Sequence, residues 1–158
     1  MDNFFTLFEM IGALSRRRYQ AAEQNFATLG LNHTEARLLM LLSEAQGEAT
    51  QDDLSNSLFI DRCNAGRALK RLEQADYIIR RKDDADRRTN LVQMTAKGSK
   101  AVGEIMLLRN KIVQSFFRDL SEEDAGRVIS LLQKALPDDS MKIPSQLPGK
   151  MEKASCLG

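Results

Sequence analysis

The chain has 158 residues, 42% of them hydrophobic and 28% charged, with a formal net charge of +1. That is room for one domain of ordinary size with extensions, and too apolar for a disordered polymer. Affinity for any polyanion must therefore come from local patches, and the longest apolar run, Leu38 to Leu42, is far too short to span a bilayer. The start "MDNFF" lacks the basic stretch and small-residue cleavage site of a leader, so with two cysteines a cytoplasmic, reduced protein is expected.

All three prolines (Pro137, Pro144, Pro148) lie in the C-terminal tail, so nothing upstream breaks a helix. The first predicted helix is "NFFTLFEMIGALSRRRYQAAEQNFATL", where Phe4, Leu7, Phe8, Ile11 and Leu14, then Tyr19, Ala22 and Phe26, recur at helical steps. Gly30 is its expected terminator. "NHTE" carries a capping box, Asn32 with Glu35, that opens "ARLLMLLSEA", closed by Gly47. Thr50 caps a short helix with Leu54 and Leu58, and Asp61 caps "RCNAGRALKRLEQA". The last two helices have the spacing of a helix-turn-helix. "YIIRRK" and "LVQM" then read as two strands around the tip "DDADRRTN". Thr95 starts a long helix with Val102, Ile105, Ile112 and Phe116 on one line. "SEED" caps a last helix with Val128, Leu131, Leu132 and Leu136 on one face. Residues 137–158 show no periodic apolar face and read as a loosely docked tail.

In the helix from Arg62 to Ala75, Ala65, Ala68, Leu69, Leu72 and Ala75 share one side, and Cys63, Arg67, Lys70, Arg71 and Gln74 the other. From Arg62 to Arg71 there are four bases and no acid. Such a helix, after a short helix and turn, suits a DNA major groove; a solvated basic face is the bland alternative. Arg87 and Arg88 at the hairpin tip could reach a minor groove, with Asp83, Asp84 or Asp86 holding their guanidinium groups. A mixed-charge solvent turn is the alternative there.

The run from "ATQDDLSNSLFIDRCNAGRALKRLE" through "DADRR" to "VQMTAKG" resembles the winged helix-turn-helix of the multiple-antibiotic-resistance regulator (MarR) family, over about residues 4–136. The resemblance implies a mostly α fold with a small two- to three-stranded β wing, flanked by dimerisation helices. The expected parts are an N-terminal dimerisation helix (1–29), a DNA-binding domain (30–95), C-terminal dimerisation helices (96–136) and the tail (137–158). It also implies a homodimeric DNA-binding transcriptional regulator, a repressor, with pseudo-palindromic operators and a small phenolic or aromatic carboxylate effector. Arg67 takes the recognition-helix contact, Asp86 the wing aspartate and Arg88 the minor-groove arginine. The expected DNA-contacting set is Thr50, Gln51, Arg62, Cys63, Asn64, Gly66, Arg67, Lys70, Arg71, Lys82, Asp86, Arg87, Arg88 and Asn90. The chain departs from the family at Asp76, usually Gly, and at Cys63 and Gly66, usually small hydroxyl residues.

Five of the seven phenylalanines are Phe4, Phe5, Phe8, Phe116 and Phe117, in the terminal helices. A small winged domain cannot bury them all, so Phe4, Phe5, Phe8, Ile11, Phe116, Phe117, Leu120, Leu131 and Leu132 are expected in a dimer interface. Arg16, Arg17, Arg18 and Tyr19 are candidates to hold an aromatic carboxylate by a bidentate bond and stacking; a solvated or dimer-bridging basic face is the alternative. Cys63, in a helix's first turn beside Arg62 and Arg67, is a candidate for oxidation, or an inert small residue. His33, the sole histidine, is expected to be exposed. No cofactor or metal site is expected, and an enzyme is remote: no phosphate-loop glycine pattern and no nucleophile with a neighbouring base occur. The rival reading is a winged-helix protein-interaction module that has lost DNA binding.

Overall fold

A computed structural model describes residues 2–136; the predicted tail lies outside them. The elements are α1 (Asn3–Phe26), a 3-10 turn (Ala27–Leu29), α2 (His33–Glu44), β1 (Glu48–Thr50), α3 (Gln51–Leu58), α4 (Arg62–Gln74), β2 (Ile78–Lys82), β3 (Asn90–Met94), α5 (Ala96–Phe116) and α6 (Glu122–Gln133). They fall into two compact units divided after Phe117. In the first unit a three-stranded antiparallel sheet, ordered β1-β3-β2, packs with helices. In the second, α6 starts at the Ser121 cap, which accepts from the Asp124 amide.

Side-chain caps start the helices where the sequence placed them. Asn32 and Glu35 form the reciprocal capping box of α2, and the hydroxyls of Thr50 and Thr95 accept from Asp53 and Gly98 amides. Gly30 ends the first helical run in the left-handed region, φ 70°, although that run tightens to a 3-10 turn from Ala27 onward. β1 was not read from the sequence. Three residues are too short for a periodic signal, and it exists because Glu48–Thr50 pairs with Leu91–Gln93.

The core is built from the apolar faces of the predicted helices. Leu38, Leu39 and Leu42 of α2 meet Leu54 and Leu58 of α3, Leu69 and Leu72 of α4, Ile78, Val92 and Ile105, all buried. Each fully buried aliphatic side chain of this size contributes about 1.5–3 kcal/mol. The alanines of α4, Ala65 and Ala68, are also fully buried, which lets the helix backbone lie close to its neighbours.

The stretch "MTAKG" has a definite structural task. The Thr95 hydroxyl is shared between the carbonyls of Asp76 (2.6 Å) and Tyr77 (3.0 Å) and accepts from the Gly98 amide. The Lys97 ammonium donates to the Ala75 carbonyl at 2.7 Å and lies 4.6 Å from the Tyr77 ring centroid. Gly98 lets the helix approach: a Cβ there would sit 2.3 Å from the Tyr77 carbonyl oxygen. The start of α5 is thus fastened to the end of α4, fixing the base of the wing relative to that helix.

Candidate functional site

α4 begins at Asp61, whose carboxylate accepts from the Asn64 amide at 2.8 Å. That backbone bond, first among several hydrogen bonds, holds the Asp61 carboxyl below its ordinary value. The helix buries Ala65, Ala68, Leu69 and Leu72 and exposes Arg62, Cys63, Asn64, Arg67, Lys70, Arg71 and Gln74. The predicted two-faced helix is therefore observed. Gly66 sits at the contact with α3, with Gln51 Nε2 3.6 Å from where its Cβ would be.

The four bases are not equivalent. Arg62 pairs with Asp52 of α3 at 3.2 Å. Arg71 pairs through Nε with Glu35 of α2 at 2.5 Å. Arg67 donates to the Asn64 side-chain oxygen at 2.8 Å. Among the described residues, Arg67 and Lys70 form no ion pair. The uncompensated charge inferred from the local sequence is thus halved by acids distant in sequence, and it concentrates at the middle of the exposed face.

The wing corrects another expectation. Asp83, Asp84 and Asp86 do not hold the guanidinium groups of Arg87 and Arg88. Asp86 instead accepts from the Arg88 backbone amide at 3.0 Å and from the Thr89 hydroxyl at 3.3 Å. Asp83 accepts from the Ala85 amide at 2.9 Å. These are local turns made by short carboxylate side chains. They order the tip backbone and leave Arg87 and Arg88 exposed and, among the described residues, without an ion pair. Lys82 and Asn90 face each other in register where the strands end and the tip begins. At the other end, Arg80 of β2 bonds Glu73 of α4 at 2.6 Å and 3.0 Å, which holds the Glu73 carboxyl below its ordinary value. The wing and α4 are fixed to one another by this pair as well as by the α5 fastening.

The arginines of "SRRRY" diverge. The Arg16 guanidinium folds back along α1 toward Gly12. Arg17 lies over the Phe116 ring, 4.7 Å from its centroid, a cation–π contact between α1 and α5. Arg18 joins a cluster the sequence did not reveal. Burial, then the charges of Arg18 and Arg109, lower the pKa of Arg37. None of these three arginines has a carboxylate partner among the described residues; Arg109 bonds only the Met40 sulfur, at 3.8 Å. α1, α2 and α5 therefore each contribute an arginine to this cluster, none of them in an ion pair among the described residues.

His33 borders this cluster and is half-buried, not exposed as expected. Its ring meets Tyr19 edge-on at 5.2 Å and stacks on Phe26 at 6.4 Å. Its Nδ1 is buried without a hydrogen-bond partner among the described residues. Burial first, then Arg37 and Arg18, lower its pKa, while Glu23 opposes them. His33, Arg37 and Arg109 escaped the sequence reading because they lie on different helices with no common spacing. Cys63 is exposed in the first turn of α4. Among the described residues no group of three or more His, Cys, Asp or Glu side chains could hold a metal ion, and no helix is long and apolar enough to cross a membrane.

A short helix, a capped exposed helix and a two-armed hairpin fastened to it define a winged helix-turn-helix. Residues 29–89 match the MarR family model. The chain is 29% identical over 108 residues to the transcriptional repressor MprA of Escherichia coli strain K12, spanning 68% of this chain and 61% of that protein. Its fold is similar to a cysteine-to-serine mutant of Escherichia coli MarR complexed with operator DNA, at 20% identity and a TM-score of 0.75, covering 87% of this chain and 100% of that one. It is also similar to BpsR of Bordetella bronchiseptica, described with regulation of DNA binding by 6-hydroxynicotinic acid, at 24% identity and a TM-score of 0.70, covering 80% and 90%.

Proposed function

We propose that this protein is a cytoplasmic, homodimeric, sequence-specific DNA-binding transcriptional repressor. The observation that carries the reading is that Arg67 and Lys70 on the exposed face of α4 and Arg87 and Arg88 at the wing tip are exposed and, among the described residues, without an ion pair, with both elements locked to a common base. α4 enters the major groove, and Arg88 enters the adjacent minor groove, where the potential is most negative. The repressor role rests on likeness to MprA. The likeness to an operator-bound MarR fold supports the docking geometry.

The dimer reading rests on α1, which buries only Ala22 and Phe26 of its 24 residues. Phe4 and Phe8 are 81% and 73% exposed, and Phe5, Ile11 and Leu14 are exposed beside them. An apolar face of this size needs a partner, and a second α1 supplies one under two-fold symmetry. Phe117, at the C-cap of α5, and Leu120, Leu131 and Leu132 are likewise exposed; Phe116 is half-buried under Arg17. Two recognition helices then lie about 34 Å apart, one DNA turn, so the operator is pseudo-palindromic.

The uncompensated arginines Arg18, Arg37 and Arg109, with Tyr19 and His33 at their edge, suit a small aromatic carboxylate effector: the guanidinium groups pair the carboxylate and the rings stack. Cys63 on the exposed face of α4 makes the same surface open to oxidation.

Selection of bound fragments from random duplexes tests the central reading, with a two-fold symmetric consensus as the expected result. The log of the affinity should fall linearly with the log of salt concentration, by about 0.9 per phosphate neutralised. A salt-independent interaction, or no duplex binding in dilute buffer, would transfer the winged domain to a protein partner.

A further inference from the structure

We infer that Arg71 acts in DNA binding as a positioning residue, and that its bond to Glu35 is the latch by which the first turn of α2 sets the orientation of α4. The inference rests on the DNA-binding reading and deepens it.

The Glu35 side chain is 7% exposed, while that of Arg71 is 54% exposed. Both carboxylate oxygens of Glu35 are committed. Oε2 accepts from the Asn32 amide at 2.9 Å, closing the α2 capping box, and Oε1 accepts from Arg71 Nε at 2.5 Å. A buried carboxylate deprived of its cation is strongly disfavoured, so the pair resists opening. Arg71 and Arg67 are four residues apart and lie on one stripe of α4. Fixing Arg71 to α2 therefore fixes the rotation of the helix about its own axis, and with it the direction in which Arg67 projects. A phosphate would have to compete with Glu35 for Arg71, whereas Arg67 and Lys70 face no such competitor.

The latch has a second end. His33, in the same first turn of α2, donates its backbone amide to Glu23 of α1 at 2.6 Å. Glu23, His33, Asn32, Glu35 and Arg71 thus form a run of short polar contacts and adjacent residues from α1 to α4. His33 in that run feels the charges of Arg37 and Arg18, and the Glu35–Arg71 pair links α2's first turn to the recognition helix in addition to the leucine contacts between the two helices.

The charge can be removed without the cap. Glu35→Gln keeps a side-chain oxygen for the Asn32 amide, since glutamine serves equally in capping boxes, but removes the anion facing Arg71. Arg71→Gln removes the other partner. Affinities of the full chain, the two variants and the double variant are measured for a selected operator and for a random duplex of equal length, across a salt series, below the melting temperature of the least stable variant.

Each single variant and the double variant should weaken operator binding by a similar factor of about ten, rather than multiplying. Random-duplex affinity should change less than about twofold, and the salt slope of Arg71→Gln should match wild type. A slope reduced by about one would make Arg71 a phosphate contact and overturn the inference. So would multiplicative losses, a parallel fall in operator and random-duplex affinity, or a Glu35→Gln variant that binds like wild type. If the unmodified chain bound no duplex, the DNA-binding reading itself would fail first.

Discussion

Among the described residues, three that are not glycine, Gln46, Phe59 and Asp76, occupy left-handed backbone against their side-chain preference. Asp76 (φ 61°) follows the end of α4, where the Asp76 and Tyr77 amides bond back to the Glu73 and Leu72 carbonyls; Phe59 (φ 53°) follows α3 with the same pattern to Asn56 and Ser55. Glycine suits this position because it has no Cβ to clash. Phe59→Gly should raise stability by about 1 kcal/mol and Asp76→Gly by about half that, since aspartate tolerates the region better. Gly98→Ala should act in the opposite direction, costing about 1–3 kcal/mol, because the Tyr77 carbonyl blocks a Cβ and cannot readily yield. Denaturant unfolding midpoints check all three.

His33 predicts a pH dependence. Its pKa in the fold lies below the ordinary 6.5, so in the window below 6.5 the unfolded chain binds more protons. Stability therefore rises with pH there, and is lost as pH falls from about 6.5 toward the folded value. His33→Leu should flatten the unfolding free energy between about pH 5 and 7. Asp61 and Glu73, held below ordinary values of 3.8 and 4.5, contribute stability that is lost only at lower pH. An unchanged slope in the variant would remove His33 from the account.

At the scale of elements, the wing separates two tasks within five residues. Asp86 shapes the tip backbone, and Arg88 projects from it. Arg88→Ala should weaken operator binding by about 1–3 kcal/mol while leaving unfolding unchanged. Asp86→Ala should also weaken it, through a disordered tip that still carries both arginines, and should raise hydrogen exchange at the amides of Arg88 and Thr89. Equal affinity in both variants would take the wing out of the interface. Thr95, Lys97 and Gly98 each meet a backbone carbonyl of the link between α4 and β2, those of Asp76, Ala75 and Tyr77. Of this chemistry the Thr95 cap was legible, because a cap demands particular residue types at fixed spacing; the tasks of Lys97 and Gly98 emerged only when the fold brought residues 75–77 alongside.

For the whole molecule, the exposed front of α1 predicts association. Light scattering should give twice the chain mass, and Phe4→Glu with Phe8→Glu should shift it toward the monomer, since charged side chains oppose burial of that face. A monomer at micromolar concentration in the unmodified chain would refute the dimer. Operator affinity should fall with dissociation, because two half-sites are then bound independently.

What the sequence determined by itself was whatever depends on near neighbours. Capped helix starts, the apolar and basic faces of α4, the two long strands and the charged tip follow from residues within a turn or two of each other. The tertiary structure decided which charges remain free. Glu35 reaches Arg71 across 36 positions and so removes a base that the local count left available. Arg18, Arg37 and Arg109 gather from three helices, and His33 is half-buried between Tyr19 and Phe26 of another helix. Electrostatic pairing depends on distance in space, and periodicity along a chain carries no record of which distant side chain a fold will bring alongside.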